Sequence, residues 1–139
     1  MKKIFMILTL VLVCSYSFAV TPPKIVRDSF AKKFPNATKV IWGKENPKEW
    51  EAEFTLEGNK FSANYGNDGS WIETEKVIKY RDLPKPVLLA ISTHYPGWKI
   101  SEADEIETPK NGKTYEVDLK KGKKKKEVNY KANGIVILE

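Results

Sequence analysis

One cysteine, Cys14, and one histidine, His94, are all that the 139 residues hold of the two side chains most used for soft-metal binding and nucleophilic catalysis. Cys14 directly follows an N-terminal apolar run, so cleavage near Ala19 would leave no thiol, and with it no disulfide, thiolate metal site or cysteine nucleophile. His94 has neither a cysteine nor a second histidine with which to share a metal ion or a proton relay. Near the end of a predicted helix, it stands where the helix dipole favours a cation. A strong excess of one charge is also missing: 24 basic and 18 acidic residues are interspersed, a net charge of +6, which is weaker than a nucleic-acid binder shows. Nucleic acid is therefore not an expected partner. The apolar run from Ile4 to Val13 falls well short of the roughly 20 residues needed to span a bilayer.

What the N-terminus does have is Lys2 and Lys3, then that apolar run, then small residues in Ser17-Phe18-Ala19, followed by Pro22-Pro23. These are the three parts of a cleavable secretory signal over residues 1–19, so the protein is expected to be exported, periplasmic or extracellular after cleavage. Val13 precedes Cys14 where a lipoprotein signal carries a small residue, so lipid attachment is not expected. Removing Lys2 and Lys3 leaves 22 basic residues against 18 acidic, a net +4. The remaining residues 20–139 suit one domain that folds on its core without disulfides.

Within that domain the chain repeats itself. Pro23-Lys24, Val26, Phe30 and Phe34-Pro35 return as Pro84-Lys85, Val87, Ile91 and Tyr95-Pro96, 61 residues later. Trp50 to Phe54 returns as Tyr115 to Leu119, and Tyr65 with Gly69 as Tyr130 with Gly134, now 65 residues apart. The change of offset places an insertion around Lys79 to Leu83, and divides the domain into repeat one (20–78) and repeat two (84–139).

Each repeat opens with apolar residues at i, i+4 and i+8 between prolines, which predicts helices over 23–34 and 85–95. Turn signals at Glu57-Gly58-Asn59, Asn67-Asp68-Gly69, Asn111-Gly112, Gly122 and Asn133-Gly134 separate alternating runs. Strands are predicted at 38–44, 49–56, 60–66, 70–78, 99–107, 113–120, 123–131 and 134–138. Trp50, Ala52, Phe54, Phe61, Ala63 and Tyr65 point one way, as do Tyr115, Val117 and Leu119. Glu51, Glu53, Ser62, Asn64, Glu116, Asp118 and Asn129 belong to the other face. The expected architecture is α+β: two tandem helix-plus-antiparallel-strand repeats sharing one antiparallel sheet, helices on one face and the other face open.

The order Pro23…Phe34-Pro35, Val40-x-Trp42, Trp50-x-Ala52-x-Phe54, Ala63-x-Tyr65-x-x-x-Gly69-x-Trp71, Leu83-Pro84, Tyr95-Pro96-Gly97 and Tyr115-x-Val117 resembles the exported PepSY-like, β-lactamase-inhibitor-like family. The resemblance covers essentially the whole domain and implies the same two-unit α+β arrangement. In the inhibitor that gave the family its label, the open sheet face grips an enzyme and disulfides staple the fold; this chain lacks those disulfides, and a shared fold does not fix a function.

Three further features carry weaker signals. Glu51 and Glu53 project about 7 Å apart from one strand, but no apolar pocket is suggested that would raise a carboxyl pKa for acid–base work. Asn67-Asp68-Gly69 reads as a hairpin turn, since a calcium loop would need more carboxylates at alternate positions and a closing glutamate. Lys120, Lys121, Lys123, Lys124, Lys125 and Lys126 surround Gly122, a pattern that fits a solvated hairpin tip and also an anionic surface or glycan.

No nucleophile, base and orienting group assemble, and no cofactor is indicated, so the protein is not expected to be an enzyme. The function expected is a non-catalytic binding or inhibitory module. It would hold an envelope or secreted protein or peptide on the face of Glu51, Glu53, Ser62, Asn64, Glu116, Asp118 and Asn129. Polyanion binding through the lysine hairpin is the alternative.

Overall fold

The computed structural model describes residues 20–137. The signal read over residues 1–19, with Cys14, lies outside the described residues. An α-helix, α1 (Lys24–Lys33), is followed by strands β1 (Thr38–Asn46), β2 (Glu49–Leu56), β3 (Asn59–Gly66) and β4 (Trp71–Val77). A single 3-10 turn, Tyr80–Asp82, leads into α2 (Lys85–His94) and then β5 (Lys99–Thr108), β6 (Gly112–Lys121) and β7 (Lys124–Lys131). All seven strands form one sheet in sequence order, each pair antiparallel, so the fold is α+β.

Proline punctuates both helices as the sequence suggests. Pro23 and Pro84 are the N-cap residues, where a missing N–H costs nothing, and Phe34 and Tyr95 close the far ends with N–H bonds of 2.8 Å to Phe30 O and Ile91 O. Those two aromatic residues are only half-buried, because as C-cap residues at φ −125° and −127° they leave the helical line. Val26 and Phe30 of α1, and Val87 and Ile91 of α2, are the buried positions.

The core is two clusters. Val26 and Phe30 pack with Trp50, Ala52, Phe54, Ala63 and Tyr65, and Val87 and Ile91 pack with Leu83, Ala103, Tyr115, Val117, Leu119, Val128 and Tyr130. Strand alternation and register put both sets of strand residues on the same side of the sheet. Between them the same side carries Thr74, Lys76, Glu105, Glu107 and Lys113, with Lys113 Nζ 2.8 Å from Glu105 Oε1. A polar seam at the β4–β5 ladder thus divides the apolar core. Inside the clusters, the hydroxyls of Tyr65 and Tyr130 are buried with no hydrogen-bond partner among the described residues, and burial pushes both up to about 12.

Two turns lie directly under the helix starts. A Cβ on Gly69 would come 2.9 Å from Ile25 O, and one on Gly134 2.5 Å from Pro86 O; both glycines have φ +83°. After Gly69 the chain continues as β4. After Gly134 the expected strand over 134–138 does not form among the described residues, which show a single Tyr130–Val136 bridge, with Lys131 N–H bonded to Ile135 O and Ile137 N–H to Asn129 O. The reason is pairing: β4 is held by β3 and β5, whereas this return leg has only β7 beside it. At the opposite edge, β1 slips register between Thr38 and Ile41 and again between Lys44 and Asn46, with Lys39 in the left-handed region at φ +54°. Such bulges blunt an edge strand.

Replacing Gly134 by alanine should destabilise the protein by more than the about 1–2 kcal/mol that left-handed backbone alone costs an L-residue. Gly122, at φ +59° with nothing within 4 Å of its would-be Cβ, supplies the control, and Gly122→Ala should show the backbone cost alone. Chemical denaturation of both variants measures the difference; equal losses would mean that the approach of the turn to α2 is not a tight one. Tyr65→Phe and Tyr130→Phe should be neutral or stabilising by about 1 kcal/mol in the same assay, since each removes a buried hydroxyl without a partner.

Candidate functional site

Alternation leaves one consequence on the sheet face away from the two clusters. Every residue between two core residues of a strand must point there, so Trp50, Ala52 and Phe54 consign Glu51 and Glu53 to it, and Tyr115, Val117 and Leu119 consign Glu116 and Asp118. Register then aligns the strands. Glu51 lies opposite Asn64 and Asn64 opposite Glu73; Glu53 lies opposite Ser62 and Ser62 opposite Glu75. Further across, Asp104 lies between Val77 and Glu116, Glu116 faces Asn129, and Asp118 lies between Glu102 and Glu127. The seven residues picked out by alternation, Glu51, Glu53, Ser62, Asn64, Glu116, Asp118 and Asn129, do share this face. With Glu73, Glu75, Glu102, Asp104 and Glu127 it carries at least nine carboxylates, half or more of the chain's 18 acidic residues, and Glu45 and Glu49 act on it from its edge.

The face is not freely solvated throughout. Asn64 is buried and Glu51, Ser62, Glu73, Glu75, Asp104, Glu116, Asp118 and Asn129 are half-buried, while Glu53 is exposed. Side chains on strands less than 5 Å apart shield one another from water. Contrary to the expectation of unperturbed carboxyls, several are driven toward the protonated form. Burial, then repulsion from Glu127, Glu75, Asp104 and Asp118, pushes Glu116 up to about 8. Burial and the carboxylates of Glu73, Asp104, Glu51 and Glu45 take Glu75 to about 7. Burial and the charges of Glu102 and Asp118 take Asp104 to about 6, and Glu51 and Glu73 are raised by the same causes.

Several of the cations lie elsewhere. Lys33 sits 3.6 Å over the Trp71 ring, Lys44 4.2 Å over Trp50 and Lys76 5.5 Å over Phe61, all against aromatic residues of the helix side. The lysine hairpin forms as expected, turning at Gly122-Lys123, with all six lysines exposed. Its side chains alternate between faces: Lys121 donates to Pro96 O at 3.2 Å and Lys126 stands 5.4 Å over Tyr95 on the helix side, while Lys120 and Lys125 pair on the acidic side. No single cationic plane results.

The remaining candidates are accounted for locally. His94 is exposed at the last residue of α2. Asn67 accepts from Trp50 Nε1 at 2.8 Å and Lys44 Nζ at 3.0 Å and donates to Pro47 O, while Asp68 accepts from Ser70 N–H and Oγ–H. Those bonds spend the turn on structure, and among the described residues no group of three His, Cys, Asp or Glu side chains is arranged to hold a metal ion.

Comparison with known proteins follows the fold. Residues 48–138 match the family described as "Putative beta-lactamase-inhibitor-like, PepSY-like". Among solved structures, a DUF2874 family protein from Bacteroides ovatus is similar at TM-score 0.77 and 23% identity over 86% of each chain. A BLIP-like protein from Bacteroides fragilis has TM-score 0.78 and 22% identity, over 86% of this chain and 85% of that one. A structure described as "putative periplasmic proteins" from Bacteroides eggerthii has TM-score 0.75 and 15% identity, over 86% of this chain and 88% of the other. At these identities the likeness is one of fold. No curated protein sequence matches the chain.

The raised carboxyl groups fix how stability responds to pH. Each binds its proton more tightly in the fold than in the unfolded chain, where carboxyls titrate near 4 to 4.5. Between about pH 4.5 and about pH 8 the folded state therefore holds more protons, and stability falls as pH rises through that interval. Calorimetry should show a higher melting temperature near pH 5 than near pH 8.5, and Glu116→Gln should flatten the slope and melt above the parent at the upper end. A melting temperature that climbs from pH 5 to pH 8.5 would contradict the electrostatics described.

Proposed function

The chain belongs to the PepSY-like, β-lactamase-inhibitor-like family, and from that premise we propose that it is an exported, non-catalytic binding module. It holds a protein or peptide partner on the sheet face of Glu51, Glu53, Ser62, Asn64, Glu116, Asp118 and Asn129. The observation that carries the reading is the division of labour across the sheet: both helices contribute to apolar clusters on one side, while at least half of the acidic residues crowd the other. A surface costly to charge and left uncovered by its own chain is a surface suited to a partner.

In this reading residues 1–19 direct export, and residues 20–78 and 84–139 are two copies of one helix-plus-strands unit that share the sheet, helices on one face and the other face open. The pairs Val26 and Val87, Phe30 and Ile91, Tyr65 and Tyr130, and Gly69 and Gly134 support it, since the members of each pair have the same burial or the same contact with a helix. The names of the solved relatives, one BLIP-like and one periplasmic, favour a protein partner outside the cytoplasm. Carboxyls that titrate near neutrality also suit acid catalysis, but here they are spread over an uncovered face. A shallow cleft lined by Ile78, Tyr80, Arg81, Ile100 and Ser101 takes in none of Glu75, Asp104 and Glu116.

A photo-crosslinking residue placed at Asn129 should capture a partner in intact cells, and replacing Glu51 and Glu53 together by lysine should abolish that capture without lowering the melting temperature. Capture that survives the double charge reversal, or that is matched by a crosslinker at the exposed Leu89 of α2, would remove the face from consideration.

A further inference from the structure

We propose that the uncovered sheet face docks a cationic protein segment, one presenting several lysine or arginine side chains, beside Glu75, Asp104 and Glu116, and that docking displaces protons from Glu75 and Glu116. The inference rests on the reading above and names the chemistry of the partner.

Three observations converge on it. First, Glu75, Asp104 and Glu116 occupy adjacent strands β4, β5 and β6 at the middle of the sheet, with Asp104 directly opposite Glu116. Like charges opposite one another destabilise a sheet, and a cation brought between them converts that repulsion into attraction. Second, the groups that face these three from the other strands have the same sign. Glu45 of β1 and Glu51 of β2 act on Glu75, as does Glu73 of its own strand; Glu102 and Asp118 act on Asp104, and Glu127 of β7 on Glu116. β3 contributes only Ser62 and Asn64 between them. The lysines that share the face, Lys60, Lys99, Lys120, Lys125 and Lys131, stand at or near the ends of their strands, away from Glu75, Asp104 and Glu116. Third, the face is not purely ionic. Val77, 59% exposed, stands opposite Asp104, and half-buried Ile106 stands opposite Glu75, so aliphatic stems of lysine or arginine would find apolar contact beside the carboxylates.

The chain's own lysine hairpin is a poor occupant for a second copy's face, because Lys121 and Lys126 are turned to Pro96 and Tyr95 and only Lys120 and Lys125 remain on the acidic side. A separate partner is therefore the occupant. The proton balance is explicit: Glu75 and Glu116, partly protonated in the free protein near neutral pH, lose those protons to buffer as ammonium or guanidinium groups come to stand beside them, while the partner's cations stay charged throughout.

The test is calorimetric titration of the processed chain, residue 20 onward, with a decalysine peptide at low salt, in two buffers of different ionisation enthalpy. The heats should differ in the sense of proton release at pH 7.5, and affinity should rise by at least about tenfold from pH 6 to pH 8, since one pKa unit is worth a factor of ten. Glu75→Gln combined with Glu116→Gln removes repulsion, so it should fold at least as well by thermal melting, yet lose both the proton release and the pH dependence. Absence of binding, heats independent of buffer, or a double variant that behaves as the parent would each overturn the proposal. Concentration-dependent oligomers of the chain alone, abolished by the double variant, would give the face to a second copy and overturn it too. A partner captured in cells from Asn129 but lacking a basic surface would leave the binding reading standing and defeat only this inference.

Discussion

A strand has only two faces, and in this sheet the two apolar clusters take the same one. Once Trp50, Ala52 and Phe54, or Tyr115, Val117 and Leu119, are committed to those clusters, the residues between them have nowhere else to go. The hydrogen-bond ladder then holds neighbouring strands less than 5 Å apart, so carboxylates cannot spread out as they would on a helix or a loop. Burying a large apolar side chain is worth about 1.5–3 kcal/mol, and each cluster buries several; that gain holds the opposite face together despite its like charges. The acidic face and the core are therefore one arrangement seen from two sides.

Much of this is legible in the amino-acid sequence. Prolines 23 and 84 with their i, i+4, i+8 apolar spacing locate both helices to within a residue or two, and the glycine turns locate seven strands. The eighth was not formed among the described residues because pairing, and not local sequence, decides how far an edge leg runs. Half of the acidic face was hidden for a related reason. Thr74 takes a buried position where an apolar residue would have announced alternation, and the register slip between Ile100 and Glu102 shifts the phase of β5, so Glu73, Glu75, Glu102 and Asp104 carry no clean period. Their perturbed protonation arises from neighbours on other strands, which no reading along one strand can supply.

Fold similarity at 15–23% identity speaks for the scaffold and is silent on the surface it presents. The surface of this chain is marked by the sorting of charge. Lys33, Lys44 and Lys76 hold their ammonium groups over the rings of Trp71, Trp50 and Phe61, on the side of the apolar clusters. A protein of net charge +6 thus presents a strongly acidic plane, a contrast invisible in its isoelectric point.

The polar seam of Thr74, Lys76, Glu105, Glu107 and Lys113 bears on how the molecule tolerates change. Side chains on either side of it share no buried neighbour, so packing errors are contained: a cavity opened near Phe30 is not transmitted to Ile91 except through the backbone ladder. Substitutions in the two clusters should combine nearly additively, as independent sites do. The clusters have used that latitude differently. One is an aromatic lattice in which Phe30 meets Phe34, Trp42, Phe54 and Tyr65 at centroid separations of 5.0–6.2 Å, and the other is built largely of Val, Leu and Ile. The seam acts as a firebreak, letting one core be rebuilt while the other keeps the chain folded.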